Sequence, residues 1–474
     1  MVLALPLVAA LLLTAVRVGS QVAPQSWNST ITTSTEERVR LAGAALDVAI
    51  GKLGPDAQFL NESFGVTGYL YSEMAQFDIA TNQSKYEKTL AEYFPRVELL
   101  HSNFSDPLNR WTIAQTFQAL SFGHAAVKAY AAYRNPNDFS ARKIAGKNFT
   151  LAGVCHNHTM AGGTFQDVEL GDPTILGAAT GYFLVVSALL AEATSDPVYL
   201  QAANESVDFI LAYLYNGRDI VEFGVNATAG CEVHGWLAPT NSGLMIEGLS
   251  ILLSITNSPT TQNLLSDLLM AVIPSARWQG DNGIVTEAAA PGAGGMSLLQ
   301  GLGTVYMRNS TNSTLRQYIG DYIAVQFNAV ANLAISDIYG GSWIGPPSAN
   351  FSGGNQTIAL SALLSAIGLE AVPSLSSSSL PAPPGPSDSF AAPSPSSSSL
   401  PVPPGPSESA TTFPNSHNLT VILGGILGGA CGRGSHWIHP VSPTTGRSVT
   451  KLFSPTRSSS TVPRTHSGFG HSCH

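Results

Sequence analysis

Charge is what this 474-residue chain has least of. Asp, Glu, Lys and Arg make up 11% of it, against about 25% in an average soluble domain. Hydrophobic residues stand at an ordinary 44%, so neutral Ser, Thr, Asn and Gly fill the deficit, and such a surface is solubilised by uncharged polar groups or by sugars. The net charge is −9 and no basic stripe runs through the first 372 residues, which excludes a nucleic-acid partner, since that needs a clustered positive footprint. There are only four cysteines, with no spacing that resembles a zinc site. Neither the apolar run within residues 1–20 nor the one at 421–430 reaches the roughly 20 residues of a membrane-spanning helix.

What is present points to the secretory pathway. Residues 1–20 hold about a dozen apolar residues and end in small ones, as a signal peptide does. Asn-x-Ser/Thr occurs thirteen times, a density that fits N-glycosylation. Cys155 and Cys231 are the only cysteines in the part that looks globular. In an oxidising compartment they form a natural disulfide; otherwise they are two buried thiols.

Residues 25–372 read as successive helical hairpins. Ser34 followed by Glu37 is a capping-box signature ahead of a helix at 38–52. Helices at 68–81 and 84–94 split at Asn82, and 119–133 precedes the turn Asn135-Pro136-Asn137, after which a partner helix begins. Residues 175–193 are apolar nearly all round, so that helix is buried. Residues 197–214 carry Leu200, Ala203, Val207, Ile210, Leu211 and Leu214 on one stripe, with Asp196 and Pro197 as a start signal. Pairs at 243–256 with 260–274 and 296–307 with 314–333 follow, and 357–369 closes the series. Short alternating stretches at 219–224 and 283–286 suggest hairpin fragments. A buried helix followed by a one-faced helix is what an inner ring wrapped by an outer ring demands. About eleven helices without a fixed 34- or 40-residue repeat favour an all-α toroid over a solenoid.

Beyond Pro373 the composition changes. Residues 376–389, SSSSLPAPPGPSDS, recur at 396–409 as SSSSLPVPPGPSES. Such a segment buries too little apolar surface to fold, and 373–418 reads as an O-glycosylated stalk. Within 419–431 lie the ten apolar residues 421–430, which read as the start of a transmembrane helix without its completion. Residues 432–474 hold no Asp or Glu and five scattered His, which read as a disordered basic tail and not as a metal site.

Several loops add up to a family resemblance. Ala161-Gly162-Gly163-Thr164-Phe165 resembles the Gly-Gly-aromatic loop of glycoside hydrolase family 76. Thr240-Asn241-Ser242-Gly243, with Gly248 further on, is similar to that family's Tyr-Asn-Gln-Gly and second glycine. Trp278-Gln279-Gly280-Asp281-Asn282-Gly283, Tyr306-Met307-Arg308-Asn309 and Trp343-Ile344-Gly345-Pro346-Pro347 with Gln356 resemble later segments. The likeness covers roughly residues 30–370 and suits the fungal branch. It implies an (α/α)6 toroid of six helical hairpins. It also implies retaining hydrolysis or transfer at α-1,6-mannosidic bonds by two carboxyl groups about 5–5.5 Å apart, on cell-wall mannan or the mannan core of glycolipid anchors, with no cofactor.

The family's adjacent Asp-Asp is missing. One alignment puts Phe117 and Gln118 at the pair. A second aligns Ser105-Asp106-Pro107-Leu108-Asn109 with a segment that retains one Asp, and makes 110–121 an insertion. Asp106 is therefore the first catalytic candidate, although Ser-Asp-Pro is also a common helix start. Glu247, on a very apolar helix, is the second, because burial could raise its pKa and suit it to acid/base work. The other carboxylates of the globular part include Glu73, Asp78, Asp167, Glu169, Asp172, Glu232 and Asp281. Asp167 and Asp172 follow the Gly-Gly loop and fit the rim of a cleft. Asn241 fits a sugar hydroxyl or a turn. Trp236, Trp278 and Trp343 fit sugar rings or core plugs. His124 and His234 read as structural. Three functions compete: an enzyme on α-1,6-linked mannose, a relative that binds mannan without cleaving it, and a structural wall glycoprotein. The partner is an α-mannan or another mannose-containing glycan; the sequence leaves the oligomeric state open.

Overall fold

The computed structural model describes residues 21–101, 104, 115–133, 154–155, 158–167, 171–228, 230–286 and 294–370. Residues 1–20, Asp106, Glu169, the helix expected after Asn137, the stalk, the apolar segment and the basic tail lie outside the described residues.

Eleven α-helices and five short strands are found among the described residues. The helices are α1 (Thr35–Ile50), α2 (Phe64–Thr81), α3 (Glu87–Leu100), α4 (Gln115–Tyr133), α5 (Gly177–Thr194), α6 (Pro197–Phe209), α7 (Pro239–Thr256), α8 (Pro259–Val272), α9 (Gly294–Arg308), α10 (Ser313–Ala331) and α11 (Gly353–Ala366). The strands are β1 (Val154–Cys155), β2 (His158–Thr159), β3 (Thr174–Leu176), β4 (Glu222–Asn226) and β5 (Val233–Leu237).

Local chemistry sets the helix ends. Ser34 Oγ accepts the Glu37 amide at 3.2 Å and starts α1. Asn82 ends α2 in the left-handed region, φ 52°, which Asn tolerates. Asp196 accepts the Val198 amide at 2.9 Å to open α6, with Pro197 at its first turn.

Six helices pack side by side in the order α2, α4, α5, α7, α9, α11, and α11 returns to α2, closing a ring. The other five lie outside it, α6 on α5, α8 on α7, α10 on α9 and α11, α1 on α11 and α2, and α3 on α2 and α4. Burial follows this arrangement. In α5 every residue from Gly177 to Ala191 is buried, whereas α6 buries only Tyr199, Ala203, Ser206 and Phe209. The expected outer stripe breaks at Leu211, which is exposed. The chain widens into a π-helical turn over Ile210–Leu214, and the extra residue per turn rotates Leu211 off the inward face.

Glycine allows the inner helices to touch. A Cβ on Gly243 of α7 would lie 2.4 Å from the Leu298 amide nitrogen of α9, and one on Gly248 would lie 2.5 Å from Leu184 of α5. The two glycines of the α7 motif thus seat its two neighbours in the ring.

All six inner helices begin at one face, here called the mouth. There β3, β4 and β5 form an antiparallel sheet, with β3 leading into α5 and β5 into α7. Residues 219–224 were expected to hold a hairpin fragment and contribute to β4, while 283–286 supply one bridge, Gln279 to Val285. Four inner helices use their fourth residue to clasp the loop before them. Thr67 accepts the Phe59 amide, Thr180 the Thr164 amide, Ser242 the Val221 amide and Gln356 the Tyr339 amide, at 3.0–3.2 Å. Each clasp satisfies a buried or half-buried loop N–H that would otherwise be left without a partner.

Candidate functional site at the ring axis and mouth

Half-way down the ring axis lies a buried polar cluster. Glu247 of α7 receives the Lys128 ammonium at 3.1 Å and faces His124 Nε2 at 3.3 Å, both on α4. A carboxylate only accepts, so Nε2 carries the proton, and Nδ1 accepts from Ser72 Oγ of α2 at 3.3 Å. Glu73, next on α2, is fully buried and neither of its carboxyl oxygens has a hydrogen-bond partner. Ring order puts α2 and α7 on opposite sides, so the two glutamates approach the axis from opposite walls.

Their environments drive the two carboxyl groups apart. Burial raises Glu73 well above its ordinary 4.5, and the Lys128 charge only partly opposes this; Glu73 therefore holds a proton. Burial would raise Glu247 too, but the Lys128 charge, with the hydrogen bonds from His124 and Lys128, outweighs it and holds that group far below 4.5. Burial and the Lys128 charge lower His124, which stays neutral. The cluster carries one compensated ion pair and two neutral groups, the arrangement a dry interior tolerates.

This corrects the expectation for Glu247. Its pKa goes down, not up, because the sequence did not reveal the ammonium 3.1 Å away. It is 1% exposed, so it serves as an anchored counter-charge and not as a proton donor open to a ligand. Next to Lys128 a cavity of about 10 Å³, lined also by Gln76, Gln300, Thr304, Ser361 and Ser365, has room for a single water.

The mouth has a different chemistry. Trp236 on β5 is 57% exposed and leans on Phe223 of β4, ring centroids 5.1 Å apart. The other two candidate tryptophans are core side chains: Trp278 is 1% and Trp343 3% exposed, so neither presents a ring face. Asn241 is buried as well, and its amide nitrogen donates to the Glu222 carbonyl at 2.9 Å, which ties α7 to β4. Asp172 accepts from the Thr174 amide and the Gln166 side chain, holding the Gly-Gly loop against β3. Asp167 is half-buried in the same loop, and Glu232 and Asp281 are exposed. Asp78 is a strut between helices, accepting from the Tyr86 amide and Tyr133 hydroxyl. His124 belongs to the axial cluster and His234 is exposed beside Trp236. Gln118, at one of the positions aligned with the missing pair, is buried at the top of α4 against Gly65. Cys231 is disulfide-bonded; the Cys155 side chain lies outside the described residues. No group of three or more His, Cys, Asp or Glu among the described residues could hold a metal ion.

Lys128 was not singled out from sequence. A lone lysine in a run of Ala and Val on an apolar helix was the available signal, because such a residue needs a counter-charge.

No family model and no curated protein matches the chain by sequence. Solved structures do match. One is an inactive variant, with two aspartates replaced by alanine, of the α-1,6-mannanase GH76A of Salegentibacter sp. in complex with α-1,6-mannotetrose. It has a TM-score of 0.58 and 12% identity, over 70% of this chain and 99% of that one. The family 76 α-mannanase BT2949 of Bacteroides thetaiotaomicron has a TM-score of 0.51 and 16% identity, over 71% and 96%. Dfg5 from Chaetomium thermophilum, in complex with glucosamine, has a TM-score of 0.52 and 14% identity, over 72% and 92%. Ring closure, helix order and these likenesses agree: the chain has the all-α toroid fold of glycoside hydrolase family 76.

Proposed function

We propose that this is a secreted, cell-surface protein that holds an α-1,6-linked mannose glycan at the mouth of its ring and acts on it as a retaining hydrolase or transglycosidase. The supporting observation is the fold shared with the Salegentibacter mannanase, whose inactive variant is in complex with α-1,6-mannotetrose, together with the open Trp236–Phe223 shelf on this chain's own mouth. An aromatic face suits the apolar face of a sugar ring. Asp106 is the carboxylate proposed to attack the anomeric carbon or to protonate the leaving oxygen. Glu247 is left out of that chemistry, since it is sealed beneath the mouth in an ion pair.

A second reading has its own observation. The 474 residues contain no Asp-Asp, and the Salegentibacter variant lacking two aspartates is inactive yet carries its oligosaccharide. A chain without the pair is, by the same logic, a mannan-binding protein without turnover.

One set of measurements separates the readings. The purified full chain is mixed with α-1,6-mannan oligosaccharides, binding is followed by calorimetry and products by chromatography. Binding with products that vanish in Asp106→Asn supports the enzyme. Binding without products supports the binder. Neither binding nor products rejects both.

A further inference from the structure

The cavity next to Lys128 lies toward the end of the ring opposite the mouth, here called the floor. Gln300, Gly303, Thr304 and Met307 line it from α9, at a spacing that puts all four on one helix face. Ser361 and Ser365 line it from α11, Lys128 from α4 and Gln76 from α2. All four are inner helices, and Gln76, Lys128, Thr304, Ser361 and Ser365 stand in their last two turns. Small residues leave the space: a Cβ on Gly303 would lie 2.7 Å from Ser365 Oγ. From the polar atoms around this cavity we propose that it is a binding site for one water molecule, which ties α9 to α4 and α11 as a built part of the ring. What the mouth binds has no bearing on it.

The lining selects its ligand. Gln300 is 6% exposed, and neither its amide oxygen nor its amide nitrogen has a hydrogen-bond partner among the described residues. A buried amide left in that state is costly, and native interiors pair such groups with protein or with water. The three hydroxyls have already spent their protons on backbone carbonyls. Thr304 Oγ1 donates to the Gln300 carbonyl at 2.9 Å, Ser361 Oγ to that of Ile358 at 2.6 Å and Ser365 Oγ to that of Leu299 at 2.9 Å. They therefore present lone pairs only. Lys128 brings ammonium N–H donors, one of them engaged by Glu247 Oε1 at 3.1 Å. A fitting ligand must accept, from Gln300 Nε2 or Lys128 Nζ, and also donate, to Gln300 Oε1 or a hydroxyl oxygen.

Other ligand classes fail on one count each. A cation would meet the Lys128 charge. An anion would face hydroxyl lone pairs and unbalance an interior in which Lys128 and Glu247 already neutralise each other. An apolar molecule would leave Gln300 unpaired. Volume sets the size, since about 10 Å³ admits one water. Gln76 is half-buried and Met307 exposed; both reach solvent, so the water enters from the floor and not through the mouth.

Two measurements on the full chain test this. A high-resolution crystal structure, grown with bromide in place of chloride, should show one water within hydrogen-bond distance of Gln300 and of Lys128 or a lining hydroxyl. An anomalous bromide signal there, or no density in the cavity, overturns the proposal. The second measurement is urea unfolding of Gln300→Met, which replaces the amide by an apolar group of similar length. An amide bonded to a water loses those bonds, and the folding equilibrium constant falls about fivefold. An amide without any partner is relieved by the same change, and the constant rises. A raised or unchanged constant overturns the proposal, whatever the crystals give.

Discussion

The ring axis and the ring mouth solve opposite problems with different residues. On the axis, Glu73, His124, Lys128 and Glu247 are each at most 4% exposed, and their charges balance locally. At the mouth, Trp236 offers an open aromatic face, backed by neutral clasps such as Thr67, Ser242 and Gln356. On the function proposed above, the difference separates stability from recognition. A buried charge is costly when its partner is removed, so the axis cannot vary freely, whereas exposed side chains of the rim can change without unsettling the helices.

Breaking the axis should have the largest effect. Glu247→Ala leaves the Lys128 ammonium buried and unpaired, with an expected cost of about 3–5 kcal/mol in urea unfolding. Adding Lys128→Met should recover at least half of that; no recovery would mean that the pair is not the source. At the seam between the two regions, Gly243→Ala forces a methyl into the α9 backbone 2.4 Å away, and a loss of about 2–3 kcal/mol is expected. An unchanged unfolding midpoint would contradict the packing described.

Disturbing the mouth should move binding alone. Trp236→Ala is expected to weaken affinity for α-1,6-mannan oligosaccharides about tenfold, or 1.4 kcal/mol, with stability within about 0.5 kcal/mol of wild type. Equal affinity in calorimetry would remove the shelf from the site. Near pH 4.5 the smallest effect concerns Glu73. It keeps its proton when folded and releases it, once unfolded, above the ordinary 4.5. Its share of stability is therefore complete below 4.5 and declines as pH rises, by at most about 1.4 kcal/mol per pH unit. Glu247 has the opposite sign, losing stability as pH falls below 4.5. Glu73→Gln should match wild type within about 1 kcal/mol near pH 4.5 and lose less than wild type as pH rises; parallel pH–stability curves would show that Glu73 is ionised when folded.

Some of this was legible before any coordinates. The apolar run at 175–193 and the striped partner after Asp196-Pro197 announced inner and outer helices, and the order of the glycine- and tryptophan-bearing loops pointed to the ring. Between the readings left open for Trp278 and Trp343, burial decides for the core; a loop Trp that plugs a core and one that faces solvent look alike in sequence. The π-helical turn that exposes Leu211 left no local signal either.

By itself the sequence determined the helix pattern, because burial periodicity and capping residues are local properties. It also determined that no adjacent Asp pair exists, and it marked thirteen asparagines for glycosylation. Only tertiary structure decided which charges meet. His124 and Glu247 are 123 residues apart in the chain and 3.3 Å apart in space, because ring closure brings different inner helices to one axis, and electrostatic energy depends on that distance and on the water excluded from it.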